Sequence, residues 1–450
     1  MLPQAVNAGA RLDRLPMSAF HWKTLGLVGA GMFLDAFELT MAAGILGALI
    51  KEGWSDLTHN AAFISVTFAG MVGGAWFAGI LGDRFGRSFC YRVNLLLFGI
   101  PSIAAAFAPS MDWLIGARFL MGLGMGAEIV VGFVTLSEFV PPGPRGRAGA
   151  ALSAMMNSAV FLSAFAGYLI IPEIGWRWMF AIVGGCALVV WAFRQGLPES
   201  PRWLESKGRF AEAEQVLERI EKEVGRSSPV VSMGVPPTSS PRHVPLRQLF
   251  SRGLISRTLV GSTLLVALNT FLFSFAAWLP TFFVKQGLTV SASLGFNALM
   301  SAGAPVGALI GVWLSDRVPR KKSITLLCSF MAMLAVVYPN VTSTAVLLAV
   351  GFVLLTMAYT MAALSFAVYV PELFPTELRM RGAGFCNTMG RAAVVLTPYL
   401  VVPLFQSVGI GGVIALVVGG LLVAALVVAF FGVETRQVAL EKLNPSLERA

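Results

Sequence analysis

Long apolar runs alternate with short charged or Pro/Gly-rich breaks along the whole chain. The runs fall at 24–50, 59–81, 89–108, 112–140, 148–170, 175–196, 257–284, 291–315, 321–338, 343–371, 382–407 and 409–432. Each comes close to or exceeds the about 20 residues that a helix needs to cross the hydrocarbon core. Barrel strands would instead alternate apolar and polar residues with a period of two. The pattern therefore predicts an all-α membrane protein of twelve transmembrane helices. Composition agrees, with 56% hydrophobic and 12% charged residues, against about 25% charged in an average soluble domain.

The placement of Lys and Arg predicts the orientation. With the N-terminus inside, Arg11, Arg14, Lys23, Arg84, Arg87, Arg92, Arg145, Arg147, Arg317, Arg320, Lys321, Lys322, Arg379, Arg381, Arg436 and the basic residues of 194–257 are cytoplasmic, while the outer loops hold Lys51, Arg177 and Lys285. Both termini are expected in the cytoplasm of a multi-pass protein of the inner (plasma) membrane. The net charge of +10 then reads as a topology signal matched to anionic lipid, with no nucleic-acid partner expected. Residues 1–23 are too polar for a cleavable signal peptide. Cys90, Cys186, Cys328 and Cys386 show no CxxC or Cys/His spacing, so neither disulfide, metal nor cofactor is expected.

Between the sixth and seventh runs lies a polar stretch, 197–256. Its first part, "PESPRWLESKGRFAEAEQVLERIEKEVG", has charged residues at helical spacing around Ala, Val, Leu and Ile and predicts amphipathic helices; the Ser/Pro-rich remainder reads as a linker. This divides the chain into a six-helix half at 1–196, a linker at 197–256 and a second half at 257–450. The halves echo each other. "GILGDRFGRS" (79–88) follows the second run and "VWLSDRVPRKK" (312–322) the eighth, while "SEFVPPGPRGRAGA" (137–150) follows the fourth and "PELFPTELRMRGAG" (371–384) the tenth. An internal duplication of six helices accounts for this, and parallel repeats of that kind place a binding site near the midplane.

These echoes, with "RFLMGLGMG" (118–126), "PESPR" (198–202) and "VETR" (433–436), resemble the major facilitator superfamily over essentially the whole chain. The order of motifs is similar to the branch holding sugar porters, organic ion transporters and synaptic-vesicle-type proteins. The resemblance implies alternating access, and it implies a conformational latch from Asp83, Arg84 and Arg87, with Asp316 and Arg317 in the second copy. In that family the Asp faces the start of helix eleven, here near Gly382 to Gly384, where the helix dipole attracts a carboxylate. Glu138 with Arg147, and Glu372 with Arg381, are the matching acidic-to-basic pairs.

Asp35, Glu38, Arg118, Glu128 and Arg391 fall deep inside apolar runs, where ionisable groups are functional hypotheses by default. Asp35 and Glu38, in "GMFLDAFELTMAAG" (31–44), stand three apart and so share a helix face. At about 1.5 Å per residue, Asp35 is near mid-bilayer and Glu38 one turn further out. Arg118, early in an inward-running helix, reaches the same depth as Glu38, and a Glu38–Arg118 pair is expected. Glu128 lies at mid-span and resembles the acid of bacterial niacin-transporter-like members. Separating an acid from its Arg would favour proton uptake, so Glu38, Asp35, Arg118 and Glu128 form the expected proton-coupling set, with Glu38 the leading acid.

Arg391 sits about nine residues, or roughly 13 Å, into the eleventh run. In the organic ion transporters that the chain resembles, a charge at this point tends to oppose the sign of the substrate. Arg391 thus implies an organic anion whose carboxylate a guanidinium can hold bidentately. Phe271, Phe275 and Trp278 in "NTFLFSFAAWLP" share a face by spacing, with Asn269 as a polar handle. Together these residues predict a proton-coupled importer of a small organic anion, best nicotinate or a related aromatic monocarboxylate, working as a monomer. A sugar, a hydroxybenzoate, an organic cation or a receptor-like role on the same fold are the alternatives. No nucleophile with a base stands at depth, so an enzyme is not expected.

Overall fold

A computed structural model describes residues 6–224, 246–251, 253–315, 317–375 and 378–435. The 225–245 part of the expected linker, Asp316 and the residues from Arg436 on lie outside these. The side chains of Asp83 and Arg145 are also outside the described ones.

The described residues are helical throughout, without a strand. A short helix α1 (Ala8–Arg14) precedes six long ones: α2 (Ala19–Lys51), α3 (Leu57–Phe85), α4 (Arg87–Ala106), α5 (Met111–Phe139), α6 (Pro142–Ile174) and α7 (Arg177–Arg194). Two helices, α8 (Pro201–Ser206) and α9 (Phe210–Val224), occupy the stretch where amphipathic helices are predicted. The second set comprises α10 (Ile255–Thr270), α11 (Leu279–Lys285), α12 (Val290–Ser301), α13 (Gly303–Ser315), α14 (Arg320–Val337), α15 (Thr344–Leu364), α16 (Val370–Glu372), α17 (Arg379–Val408) and α18 (Ile410–Phe431). Among the described residues 12 helical stretches are long and apolar enough to cross a membrane, with α10–α11 and α12–α13 each forming one of them. Their bounds follow the apolar runs to within a few residues. The tenth stops early, at Leu364, because the backbone turns there into a π-helical segment, Ser365–Tyr369.

Local chemistry explains the ends. Ser110 accepts the amide of Trp113 to start α5 and Thr289 that of Ala292 to start α12, each satisfying an orphan donor. Close approach of α3 and α5 depends on Gly126, where a Cβ would lie 2.0 Å from the Met71 carbonyl oxygen. Small residues replace the hydrophobic effect as the packing device in lipid.

The chain gathers into two compact units: the described parts of Met1–Leu39, Ala69–Ala159 and Arg177–Pro236, and those of Thr40–Phe68, Val160–Trp176 and Pro237–Ala450. Helices α2, α3 and α6 each contribute to both. In the first unit, α1 docks on α9 through Ala8, Leu12, Leu217 and Ile220, which lie on one apolar face at i, i+3/i+4 spacing. In the second unit the apolar core runs from α10 through α14, α15 and α18. Replacing Gly126 by Val should separate α3 from α5, at an overpacking cost of about 1–3 kcal/mol, read as a lower unfolding temperature in detergent.

Candidate functional site

The first unit contains two buried ion pairs. Glu38 on α2 meets Arg118 on α5 at 2.6 Å, and both side chains are essentially sealed from solvent, at 0% and 1% exposure. Ser102 on α4 lies 3.5 Å from the second Glu38 oxygen while donating to the Phe180 carbonyl on α7. Three helices therefore meet at one carboxylate, and a fourth holds Ser102. The depth argument that placed Glu38 opposite Arg118 is matched by this geometry.

The second pair joins Glu128 on α5 to Arg194 at the end of α7, again at 2.6 Å. Arg194 also donates to the Leu27 and Val28 carbonyls of α2 at 2.8–3.0 Å, and its guanidinium lies 4.9 Å from the centre of the Tyr91 ring. Tyr91 in turn donates to the Val131 carbonyl. Asp35 is buried and interacts electrostatically with Arg194. Sequence reasoning missed Arg194, counting it among the basic residues of 194–257. It ends an apolar helix beside a polar loop, and one sequence cannot tell such a residue from a topology charge.

At the ends of α3 and α5, Arg87 pairs with Glu138 at 2.8 Å and donates to the Gly82 carbonyl at 2.7 Å. Glu199, from "PESPR", accepts the amides of Arg87 and Ser88 at 2.8 and 3.1 Å and so caps α4. Gly86 makes room for that cap: its φ is +96°, and a Cβ there would lie 2.2 Å from Glu199. The second unit repeats the arrangement. Glu434, from "VETR", accepts the amides of Arg320 and Lys321 at 2.9 and 3.1 Å, Arg320 pairs with Glu372 at 2.9 Å, and Thr435 donates to Glu372 at 2.6 Å. Glu138 and Glu372 thus take Arg87 and Arg320 as partners. Arg147 is exposed and Arg381 half-buried. Arg84 is exposed against Phe85, and Arg317 stacks over Trp313 at 4.4 Å. "PESPR" and "VETR" were visible as motifs, but their capping carboxylates were not, because each acts on a helix more than a hundred residues away.

A third helix end belongs to this set. Arg11 of α1 donates to Glu214 and Glu221 of α9 at 2.7–2.8 Å, and those bonds, Glu221 first, hold its basicity above the ordinary arginine value. Arg202 pairs with Asp13 at 2.5 Å while donating to the Glu138 carbonyl. The α1–α9 pair is thereby joined to the Arg87–Glu138 cluster.

In the second unit, Arg391 is half-buried on α17. Asn269 on α10 lies against the preceding residue, Gly390, where a Cβ would approach its amide nitrogen to 2.8 Å, and that amide donates to the Leu265 carbonyl at 2.8 Å. Just beyond Asn269 the helix winds into a π turn, Phe271–Phe275, then a tighter turn, Ala276–Trp278. Such breaks occur often at functional positions. Phe271, Phe275 and Trp278 are fully buried, and Phe275 meets Tyr338 edge-on at 5.1 Å. They back the broken helix from inside the core.

The same unit holds a closed seam. Phe68 meets Phe273 at 4.5 Å, and a Cβ on Gly47 or Gly295 would sit 3.2 Å from Pro280 or Tyr168. Trp176 packs on Trp54 and donates to Glu52 at 3.2 Å.

Comparison with known proteins adds the family. Residues 39–447 match the family described as "Sugar (and other) transporter". The chain is 39% identical to the inner membrane metabolite transport protein YdjE of Escherichia coli, over 98% of this chain and 99% of that one. It is 30% identical to the niacin transporter NiaP of Acinetobacter baylyi, over 97% and 99%. A crystal structure of a D-xylose-proton symporter superposes with a TM-score of 0.72 at 16% identity, covering 93% of this chain and 99% of that one.

Glu199→Gln and Glu434→Gln should each weaken one helix cap, at about 0.5–2 kcal/mol. The check is thermal unfolding of the single and double variants, whose losses should add, since distant sites act independently.

Proposed function

The chain belongs to the major facilitator superfamily, in its sugar (and other) transporter family, and from that premise we propose that this multi-pass membrane transporter imports a small organic anion together with protons. The observation that carries the coupling is the Glu38–Arg118 pair, sealed at membrane depth at 2.6 Å. A lone ion at such a depth costs several kcal/mol. Glu38 and Arg118 therefore stay together while the acid is charged, and they part once a proton neutralises Glu38 and another anion or water meets Arg118. Protonation and helix movement become one event. Asp35 and Glu128 belong to the same buried polar set, deeper along α2 and α5.

Arg391 is the proposed contact for the substrate carboxylate, with Asn269 beside it as a second polar group. Phe271, Phe275 and Trp278 are the rigid backing of that contact at the broken helix. An aromatic monocarboxylate such as nicotinate suits a guanidinium next to a π turn, and a relative at 30% identity is named for niacin. A sugar is the second reading, favoured by the family description.

The six-helix halves, 1–196 and 257–450, are the proposed moving bodies, joined through 197–256, and the protein is proposed to work as a monomer. With both termini in the cytoplasm of the inner membrane, the Phe68–Phe273 seam is a closed outer gate. Asp83, Arg84, Arg87, Glu138 and Arg147, with Asp316, Arg317, Glu372 and Arg381 in the second copy, then form the cytoplasmic latch. In this role Arg87–Glu138 and Arg320–Glu372 hold the helix ends that the latch closes upon.

Uptake of labelled nicotinate, hydroxybenzoate, xylose and an organic amine into proteoliposomes, with and without an inward proton gradient, separates these readings. Gradient-driven anion accumulation is expected. Arg391→Ala should cut anion uptake at least tenfold; unchanged uptake would remove the anion contact, and xylose uptake alone would favour the sugar. Glu38→Gln should abolish accumulation against a gradient yet retain counterflow exchange, and accumulation that persists would remove the coupling role.

A further inference from the structure

The inner ion pair of the first unit is built differently from the outer one. Arg194 reaches three things at once: Glu128 on α5, two successive carbonyls of α2, and the face of Tyr91 on α4. Its approach to α2 depends on Gly31. A Cβ at that position would stand 2.1 Å from the Arg194 nitrogen and 2.5 Å from the Glu128 oxygen, so no other residue fits without breaking the clasp. Gly31 opens the motif that carries Asp35 and Glu38, and Asp35, four residues on, points to the same face. One guanidinium therefore ties Glu128 of α5 to the turn of α2 that leads into this motif.

We propose that Arg194 is a positioning residue for proton coupling: it pins α2 at Leu27–Gly31, and so sets where Glu38 stands against Arg118. The proposal rests on the reading of Glu38 as the coupling acid. The groups facing Glu38 are Arg118 from α5 and Ser102 from α4, which also donates to the Phe180 carbonyl of α7; those around Arg194 are Glu128 from α5, Tyr91 from α4 and the Leu27 and Val28 carbonyls of α2. Arg194 touches neither Glu38 nor Arg118. Its influence passes along α2, whose Leu27–Gly31 turn it holds. Loss of the guanidinium frees that turn, and a looser contact between Glu38 and Arg118 favours a bound proton on Glu38.

The test uses the full chain in three variants: Arg194→Lys, which keeps the charge and loses the fork; Gly31→Ala, which crowds the clasp; and Glu128→Gln/Arg194→Gln, which removes both members of that contact together. Two readings are taken on each, the pH profile of nicotinate uptake into proteoliposomes and the pH titration of the infrared carboxyl band that Glu38→Gln abolishes. The double variant should move both midpoints to alkaline pH by about one unit, a tenfold change in proton affinity, and Arg194→Lys and Gly31→Ala should move them by measurable amounts. A purely structural Arg194 would lower the unfolding temperature and leave the midpoints in place, which overturns the proposal. A wild-type protein without a titrating Glu38 band overturns the coupling reading and this one with it, whereas a titrating wild-type band that ignores all three variants overturns this one alone.

Discussion

A carboxylate and a guanidinium sealed together at membrane depth constrain everything around them. Neither Glu38 nor Arg118 tolerates isolation there, and breaking such a buried pair by removing one partner costs about 3–5 kcal/mol. The helices that bring them together must therefore hold a fixed register: α2 and α5 supply the charges, α4 brings Ser102 close, and α7 anchors Ser102 through the Phe180 carbonyl. Gly126 lets α3 close on α5 from another side. The arrangement resembles a switch because a proton on Glu38 frees the carboxylate and leaves Arg118 to take another anion or water in its place.

The helix ends show a second use of charge, by repetition. Glu199 caps α4 and Glu434 caps α14, each on two consecutive amides, and each stands beside an Arg–Glu pair of matching position. A carboxylate at a helix start gains from both the orphan donors and the helix dipole. These caps tie the segments following α7 and α18 to helices three earlier in the apolar series. The two motif copies thus share one ionic scaffold even where Pro319 stands in the second at the place of Gly86.

Much of this was legible in the residues. Twelve apolar runs mark their helices closely, because length and hydropathy in lipid leave the backbone little choice. The Glu38–Arg118 pair follows from counting rise per residue in helices of opposite direction, an argument that needs no contact map. Partners set by the packing of distant segments were harder to read. Arg194 looks like a loop charge until α7 is seen to tuck its end under α2, and Glu128 had no identifiable partner without it. Glu138 and Glu372 stand next to basic motifs in sequence, yet their partners come from other helices. The spacing of Phe271, Phe275 and Trp278 predicts one face of a regular helix, whereas the π turn and the tighter turn break that regularity there and Phe275 packs on Tyr338.

The account rests on one exchange, a proton on Glu38 for contact with Arg118, linked to the movement of an anion. Proton flux measured alongside transport tests it most directly: nicotinate is added to proteoliposomes in weak buffer, and the external pH is followed with a glass electrode as labelled substrate enters. The account predicts alkalinisation that tracks uptake in the wild type and is lost in Glu38→Gln. Uptake of the acid with no accompanying proton movement would contradict it.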